Sequence, residues 1–360
     1  MKGLILSGGH GTRLWPITHT QAKQLIPIAN KPIIFYCIED LRDSGITDIG
    51  IIIGHTPERI KHIKDTIGDG SRWGVEITYI EQAAPSGLAH AVKVAKNFLG
   101  NEKFIMYLGD NILMGVSKKF VDSFWNSTAS AKLLLTHVKD PERYGLALVD
   151  EQKKVTIKLI EKPKNPPTNL SIVGIYGFTP RIFEAIDNIS PSWRNELEIT
   201  DAMQWMIENG QKIEYEMVEG WWKDTGKPED ILEANQLVLD SLIPEIKGTI
   251  ENCAILQGKV TIGEGTIVKS GCRIQGPTII GKNCIIGSEA YIGPYSSIGD
   301  STEIQGGEME NVVVLTNCKI NCKKRIANSL IGANSKISAK ESSPPNAYKF
   351  VAGENSDLAV

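Results

Sequence analysis

The sequence has little excess of either charge. Its 39 Lys and Arg residues face 42 Asp and Glu, a formal net charge of -3 over 360 residues. No basic field advertises nucleic acid as a partner, so any anionic ligand must be held by local groups. No apolar stretch approaches the length of a bilayer span, and no membrane association is expected. The opening Met1–Gly9 is a short apolar run that breaks into glycine, unlike a secretory leader. The six cysteines are scattered, and the closest pair, Cys318 and Cys322, has no histidine beside it. That spacing argues against zinc and predicts free thiols in a reducing cytosol, so a cytoplasmic location is expected. Histidine is absent beyond His137.

What is present divides into two periodicities. Up to about Asp240, strand-like and helix-like patterns alternate. Lys2–Ser7, Asp48–Gly54, Val75–Glu81 and Phe104–Gly109 read as strands. Pro32–Ser44, Pro57–Ile67 and Gly87–Phe98 read as helices. The alternation predicts an α/β fold, a Rossmann-like mixed and mostly parallel sheet flanked by helices. Ligands in such sheets bind beyond the carboxyl ends of the strands, here just after Leu6 and Leu108.

After Ser241–Pro244 a six-residue repeat takes over, with aliphatics at Ile250, Leu256, Ile262, Val268, Ile274, Ile280, Ile286, Ile292, Ile298 and Ile304. No α-helix has this period, and a hexapeptide repeat predicts a left-handed parallel β-helix. The repeat falters at Glu310, where Gly306–Asn311 reads as a loop or bulge, and resumes at Val314, Ile320 and Ile326. The expected organisation is a catalytic domain at 1–243, a β-helix at 244–341 and an irregular tail at 342–360. The flat flanks and open end of a β-helix invite self-association, so a homo-oligomer is expected.

Chemistry concentrates after the first strand, in Gly8-Gly9-His10-Gly11-Thr12-Arg13. Small residues let backbone N–H groups close on phosphates, and an arginine adds a planar positive fork. The loop lacks the Gly-Lys-Ser/Thr ending of a Walker A motif, and Leu14 stands where a dinucleotide fingerprint needs its third small residue. Taken alone, the glycines equally describe a tight turn.

The residues that follow are more specific: Leu14-Trp15-Pro16, Lys23-Gln24-Leu25-Ile26-Pro27 and Asn30-Lys31-Pro32. With the loop, they resemble the N-terminal signature of the nucleoside-diphosphate-sugar pyrophosphorylases, and most nearly the thymidylyltransferase branch that acts on glucose 1-phosphate. The resemblance extends through most of the first domain. It implies that Arg13 and Lys23 neutralise a triphosphate wrapped by Leu6, Gly8, Gly9, Gly11 and Thr12. Leu108-Gly109-Asp110-Asn111 and Gly220-Trp221-Trp222-Lys223-Asp224 resemble the family's two metal motifs, which makes Asp110 and Asp224 the implied Mg²⁺ ligands. On the sugar side, Asn111, Tyr144, Gly145, Glu161, Lys162, Val173, Tyr176 and Arg194 match segments that hold the hexose phosphate, with Val173 contributing through its backbone. Gln82-Ala83-Ala84-Pro85-Ser86-Gly87 resembles the thymine-reading loop, and Gln24 is also typical of that branch. Gln82, Pro85 and Gly87 would then face the base.

The implied reaction joins dTTP to glucose 1-phosphate, with Arg13, Lys23 and Lys162 as the catalytic cations. Thymine and uracil differ by one methyl, worth about 1–3 kcal/mol in a pocket, so UTP is the alternative nucleotide. His10 and Asn195 depart from the residues common in the family. A β-helix acyltransferase reading lacks a histidine base in the second half. A non-catalytic regulatory subunit would have lost one of Arg13, Lys23, Asp110, Lys162 or Asp224, and all five are present.

Overall fold

The computed structural model describes residues 1–9, 11–19, 21–54, 56–114 and 117–338. His10 and the expected tail at 342–360 lie outside the described residues. The first part is a nine-stranded sheet built from β1 (Lys2–Ser7), β2 (Asp48–Ile53), β3 (Glu76–Glu81), β4 (Phe104–Leu108), β5 (Ala131–His137), β6 (Gly145–Asp150), β7 (Val155–Glu161), β8 (Leu170–Phe178) and β9 (Ile213–Met217). Their order across the sheet is β3-β2-β1-β4-β8-β5-β9-β7-β6. The first four are parallel neighbours. β8 and β7 run against their neighbours and the rest run with β1, so the mostly parallel expectation holds for strand direction.

Strand alternation sorts the core onto two faces. Leu4, Leu6, Phe104 and Met106 pack against α3 (Leu88–Val94), α6 (Arg181–Asp187) and α7 (Ile199–Glu208). Ile5, Ile105 and Tyr107 face the opposite way, against α1 (Ile33–Asp43), α2 (Pro57–Ile67) and α5 (Ser117–Asn126). The helix expected over Gly87–Phe98 is two segments, α3 and a short α4 (Lys96–Leu99) with Ala95 between them.

A last helix, α8 (Pro228–Asp240), ends the first part, and short strands begin at Glu245. These strands stack in parallel with a step of 18 residues, as in Ile262 on Ile280 on Ile298. Three hexapeptides therefore make one coil, which gives a parallel β-solenoid. The aliphatics from Ile262 to Ile304 fill its axis, and the small residues two positions earlier, such as Thr266, Cys272 and Thr278, are buried beside them.

The faltering of the repeat is a bulge and not a loop, with the strand register shifting between Ile304 and Gly306. A continuous strand covers Glu303–Val314. Met309 takes the axial place and pairs with Ile292, a step of 17, while Glu310 turns outward to an ion pair with Arg325. One residue is lost from the coil, and the core stack continues. The two parts meet along α8, where Leu14, Ile28, Ile33, Ile231 and Ala234 share one apolar cluster with Val313 and Leu315 of the solenoid.

Candidate active site

The sheet's carboxyl edge carries two adjoining cavities of about 400 and 450 Å³. Arg13, Leu88, Leu108, Asp110, Glu161 and Lys162 line both. The first is also lined by Leu6, Gly8, Gly9, Gly11, Thr12, Lys23, Gln24, Gln82, Pro85, Gly87 and Arg194. The second adds Asn111, Tyr144, Gly145, Tyr176 and Asp224.

The two carboxylates reach each other by an ordered route. β4 ends at Leu108 and places Asp110 just beyond the sheet. The chain then forms a two-stranded antiparallel ribbon, Asn111–Met114 with Trp221–Asp224, whose register sets Asp224 opposite Asn111. Thr225 fastens this end, donating to the Asp110 carbonyl through its N–H (3.1 Å) and its hydroxyl (2.7 Å). Asn111 donates to Asp110 Oδ1 at 2.8 Å and accepts from Trp222 Nε1 at 2.6 Å.

Lys23 enters between the two carboxylates. Its Nζ lies 2.6 Å from Asp110 Oδ2 and 3.7 Å from Asp224 Oδ1, with the side chain 6% exposed. Burial works against the charge on Asp110, but the Lys23 ammonium holds its carboxyl below the usual range. Asp224 moves the other way, raised by burial and by the negative charge of Asp110. Two half-buried carboxylates therefore share one ammonium. Among the described residues no third His, Cys, Asp or Glu joins them. That donor set fits Mg²⁺, which binds through one or two carboxylates and completes its shell with water and substrate phosphates.

The glycine loop closes one side of the first cavity. A Cβ on Gly8 would stand 2.9 Å from Gln82 Oε1, so the bare backbone there makes room for the glutamine. Gln82 is buried, and its Nε2 donates to the Gly87 carbonyl at 3.2 Å and lies 3.0 Å from His90 Nδ1. Gly87 has φ +101, and a Cβ there would meet the Leu197 carbonyl oxygen at 2.3 Å. The Leu197 N–H in turn donates to Ser86 O at 2.8 Å, which clasps the Gln82 loop to the segment carrying Arg194.

Charged side chains crowd the other end. Arg194 contacts Glu196, Glu198 (3.3 Å) and Glu161 (3.8 Å). Lys162 lies 3.3 Å from Glu161, whose other oxygen accepts from Thr200 Oγ1 at 3.0 Å. Lys162 itself has φ +39, a conformation side-chain-bearing residues rarely adopt and one found at functional sites. Tyr144 leans edge-on against Trp222, and burial pushes its phenol up to about 12.

All but one of the site residues expected from the sequence line these cavities. The exception is Val173, which was expected to act through its backbone; its side chain is fully buried in the cluster beneath the opposite face. Alternation along β8 gives the lining positions to Ile172, Gly174 and Tyr176 instead. Sequence reasoning also missed Glu198 and Thr200, although they follow closely on Arg194 in the chain. Their partners, Arg194 and Glu161, are distant in the chain or hidden by a turn.

The fold and this site define a nucleotidyl transferase. The family model of that description matches residues 2–241, and the chain belongs to that family. A second model, described as the GMPPB C-terminal domain, matches residues 274–342. Among curated relatives, the chain is 48% identical to the low-salt glycan biosynthesis nucleotidyltransferase Agl11 of Haloferax volcanii, over the full length of both. It is 46% identical to a glucose-1-phosphate thymidylyltransferase of Streptomyces antibioticus, over all of this chain and 99% of that one. A solved Bacillus anthracis structure described as a glucose-1-phosphate thymidylyltransferase superposes with a TM-score of 0.63 at 37% identity, covering 68% of this chain and 98% of that one.

Proposed function

We propose that this chain is a Mg²⁺-dependent glucose-1-phosphate thymidylyltransferase, converting dTTP and α-D-glucose 1-phosphate to dTDP-glucose and pyrophosphate. The observation that carries the reading is Lys23 set between Asp110 and Asp224 at the junction of the two cavities. A glycine loop and a buried amide lie on one side of that junction, and a cluster of paired cations and carboxylates lies on the other. The thymidylyltransferase names of the full-length relatives support the same reading.

No covalent intermediate is needed. Lys162 and Arg194 hold the sugar phosphate so that one of its oxygens faces the α-phosphorus in line. The new O–P bond forms as the bond to the β-phosphate's bridging oxygen breaks, and pyrophosphate leaves with the electron pair. Arg13 and Lys23 neutralise the triphosphate and its leaving group. Asp110 and Asp224 would hold Mg²⁺, which supplies charge compensation where two anions must approach. Gln82 offers the base an amide that complements the donor and acceptor edge of a pyrimidine. Thymine and uracil share that edge, so UTP is the second reading.

Outside the site, we read the three-hexapeptide coil as a left-handed β-helix. It carries no histidine and therefore no acyltransfer base of that type. Ile246, Ile255 and Ile285 project from its flanks and suit it to self-association. Six unpaired cysteines suit a reducing cytoplasm, and no helix among the described residues is long and apolar enough to cross a membrane.

The test is pyrophosphate release from glucose 1-phosphate with each nucleoside triphosphate in turn, with Mg²⁺ and with EDTA. Metal-dependent release with dTTP at least as fast as with UTP is expected. Release confined to UTP would replace the nucleotide, and no release with any would refute the reading.

A further inference from the structure

The segment from Gly11 to Pro32 carries both Arg13 and Lys23, yet it contains little regular structure. Among its described residues it holds three single 3₁₀ turns, Thr12–Leu14, Ile17–His19 and Lys23–Leu25, and a two-residue hairpin, Pro27–Ile28 with Lys31–Pro32. None of its strands joins the central sheet. Segments with so few hydrogen bonds of their own open easily unless something outside them holds them.

Part of the outside support comes from the first domain itself, where Ala22 and Leu25 are buried in its core and Arg59 on α2 donates to the Thr18 carbonyl at 2.9 Å, and part comes from α8 and the solenoid. Leu14, directly after Arg13, is buried in the cluster that includes Val313 and Leu315. At the hairpin, Ala29 N–H donates to Asn235 Oδ1 on α8 at 2.9 Å. The same oxygen accepts from the Ser297 hydroxyl at 2.6 Å, and Asn235 Nδ2 donates to the Tyr295 carbonyl at 3.0 Å. Asn235 is fully buried, with both ends of its amide engaged. Next to it, Asn30 Nδ2 donates to the Ile298 carbonyl at 2.7 Å. Two side-chain amides, those of Asn235 and Asn30, thus join the Gly11–Pro32 segment to the solenoid, and apolar contact at Leu14 fixes its other end.

We propose that the solenoid coils around Tyr295–Ile298 and Val313–Leu315 are positioning elements for the triphosphate. They hold the Gly11–Pro32 segment so that Arg13 and Lys23 face the bound phosphates, and Asn30, Asn235 and Leu315 are positioning residues. The second domain is in this view part of the catalytic apparatus, with no reacting group of its own. The phosphate half of the inference rests on the nucleotidyl-transfer reading.

The test uses the full-length chain and two variants. Asn30→Gly removes one bond to the solenoid while tolerating the left-handed φ of +60 at that position. Leu315→Ala removes an apolar contact. Amide hydrogen exchange over residues 11–32 should quicken in both, with exchange in the central sheet unchanged. Calorimetric titration with Mg·dTTP, in the absence of sugar phosphate, should show affinity reduced about 3- to 10-fold, the size of one lost hydrogen bond. In turnover, the KM for dTTP should rise while the KM for glucose 1-phosphate stays constant. A purely structural role would lower the active fraction and leave both KM values alone. Unchanged exchange over 11–32, or equal weakening of both substrates, overturns the inference. If the unaltered protein binds no Mg·dTTP, the functional reading fails, and hydrogen exchange still decides whether the solenoid holds the segment.

Discussion

Replacing Asp40 by asparagine should stabilise the protein, and by an amount that grows with pH. Asp40 sits on α1 and accepts a hydrogen bond from the buried Tyr107 hydroxyl at 2.9 Å. Burial raises its carboxyl to about 7, despite that hydrogen bond. An unfolded aspartate ionises near 4, so between roughly pH 4 and 7 the folded state binds more protons than the unfolded state. Stability from this group is therefore present at low pH and is lost as pH rises toward 7. A tenfold change in a protonation equilibrium corresponds to about 1.4 kcal/mol. From pH 5.5 to 7.5 the unscreened loss is about 2 kcal/mol, and partial solvent access reduces it to about 1 kcal/mol. Asparagine keeps an acceptor for Tyr107 and has no charge to bury. The difference in melting temperature between Asp40→Asn and the unaltered protein should grow by about 1–2 °C over that interval. Thermal melts at half-unit steps of pH measure it. A difference that is flat, or that shrinks with rising pH, would refute the argument.

Other changes bear on the site. Asp224→Asn should lower turnover at least ~100-fold through loss of a proposed metal ligand, while its melting temperature stays level or rises, because burial and the charge of Asp110 disfavour the Asp224 carboxylate; unchanged kinetics would remove it from the proposed metal site. Gln82→Leu keeps the side chain's bulk behind Gly8 and removes the amide. It should raise the KM for dTTP about tenfold or more, with the KM for glucose 1-phosphate nearly unaffected. Gly87→Ala pushes a methyl into the Leu197 carbonyl, which should weaken both substrates at once because the loop and the Arg194 segment are clasped there. An effect on dTTP alone would show that the clasp does not couple them.

Much of this protein is legible in one dimension because its signals are local. The first βα turn, its glycines and the Lys23-Gln24 pair sit within a short stretch, and their spacing reflects one strand end and one loop. The hexapeptide period reports the solenoid directly, since each coil repeats the same side-chain requirement. Where the period slipped at Glu310, the sequence suggested a loop or a bulge, and the strand register does shift there, between Ile304 and Gly306. In the structure Met309 satisfies the axial contact one residue early, a choice made by packing against Ile292.

The chain's own pattern determined the two architectures, their boundary near residue 240 and the chemical types gathered at the strand ends. Those follow from side-chain periodicity and turn chemistry, which act over a few residues. Tertiary structure alone decided that Lys23 bridges Asp110 and Asp224, because those residues are separated by long stretches of chain and meet only through the ribbon at Asn111–Met114 and Trp221–Asp224. It also decided that Val173 faces away from the site, since the pleat of β8 selects every second residue. The joining of the phosphate segment to the solenoid through Asn235 belongs to the same class. A buried amide is satisfied only by partners that folding brings to it, and no local pattern names them.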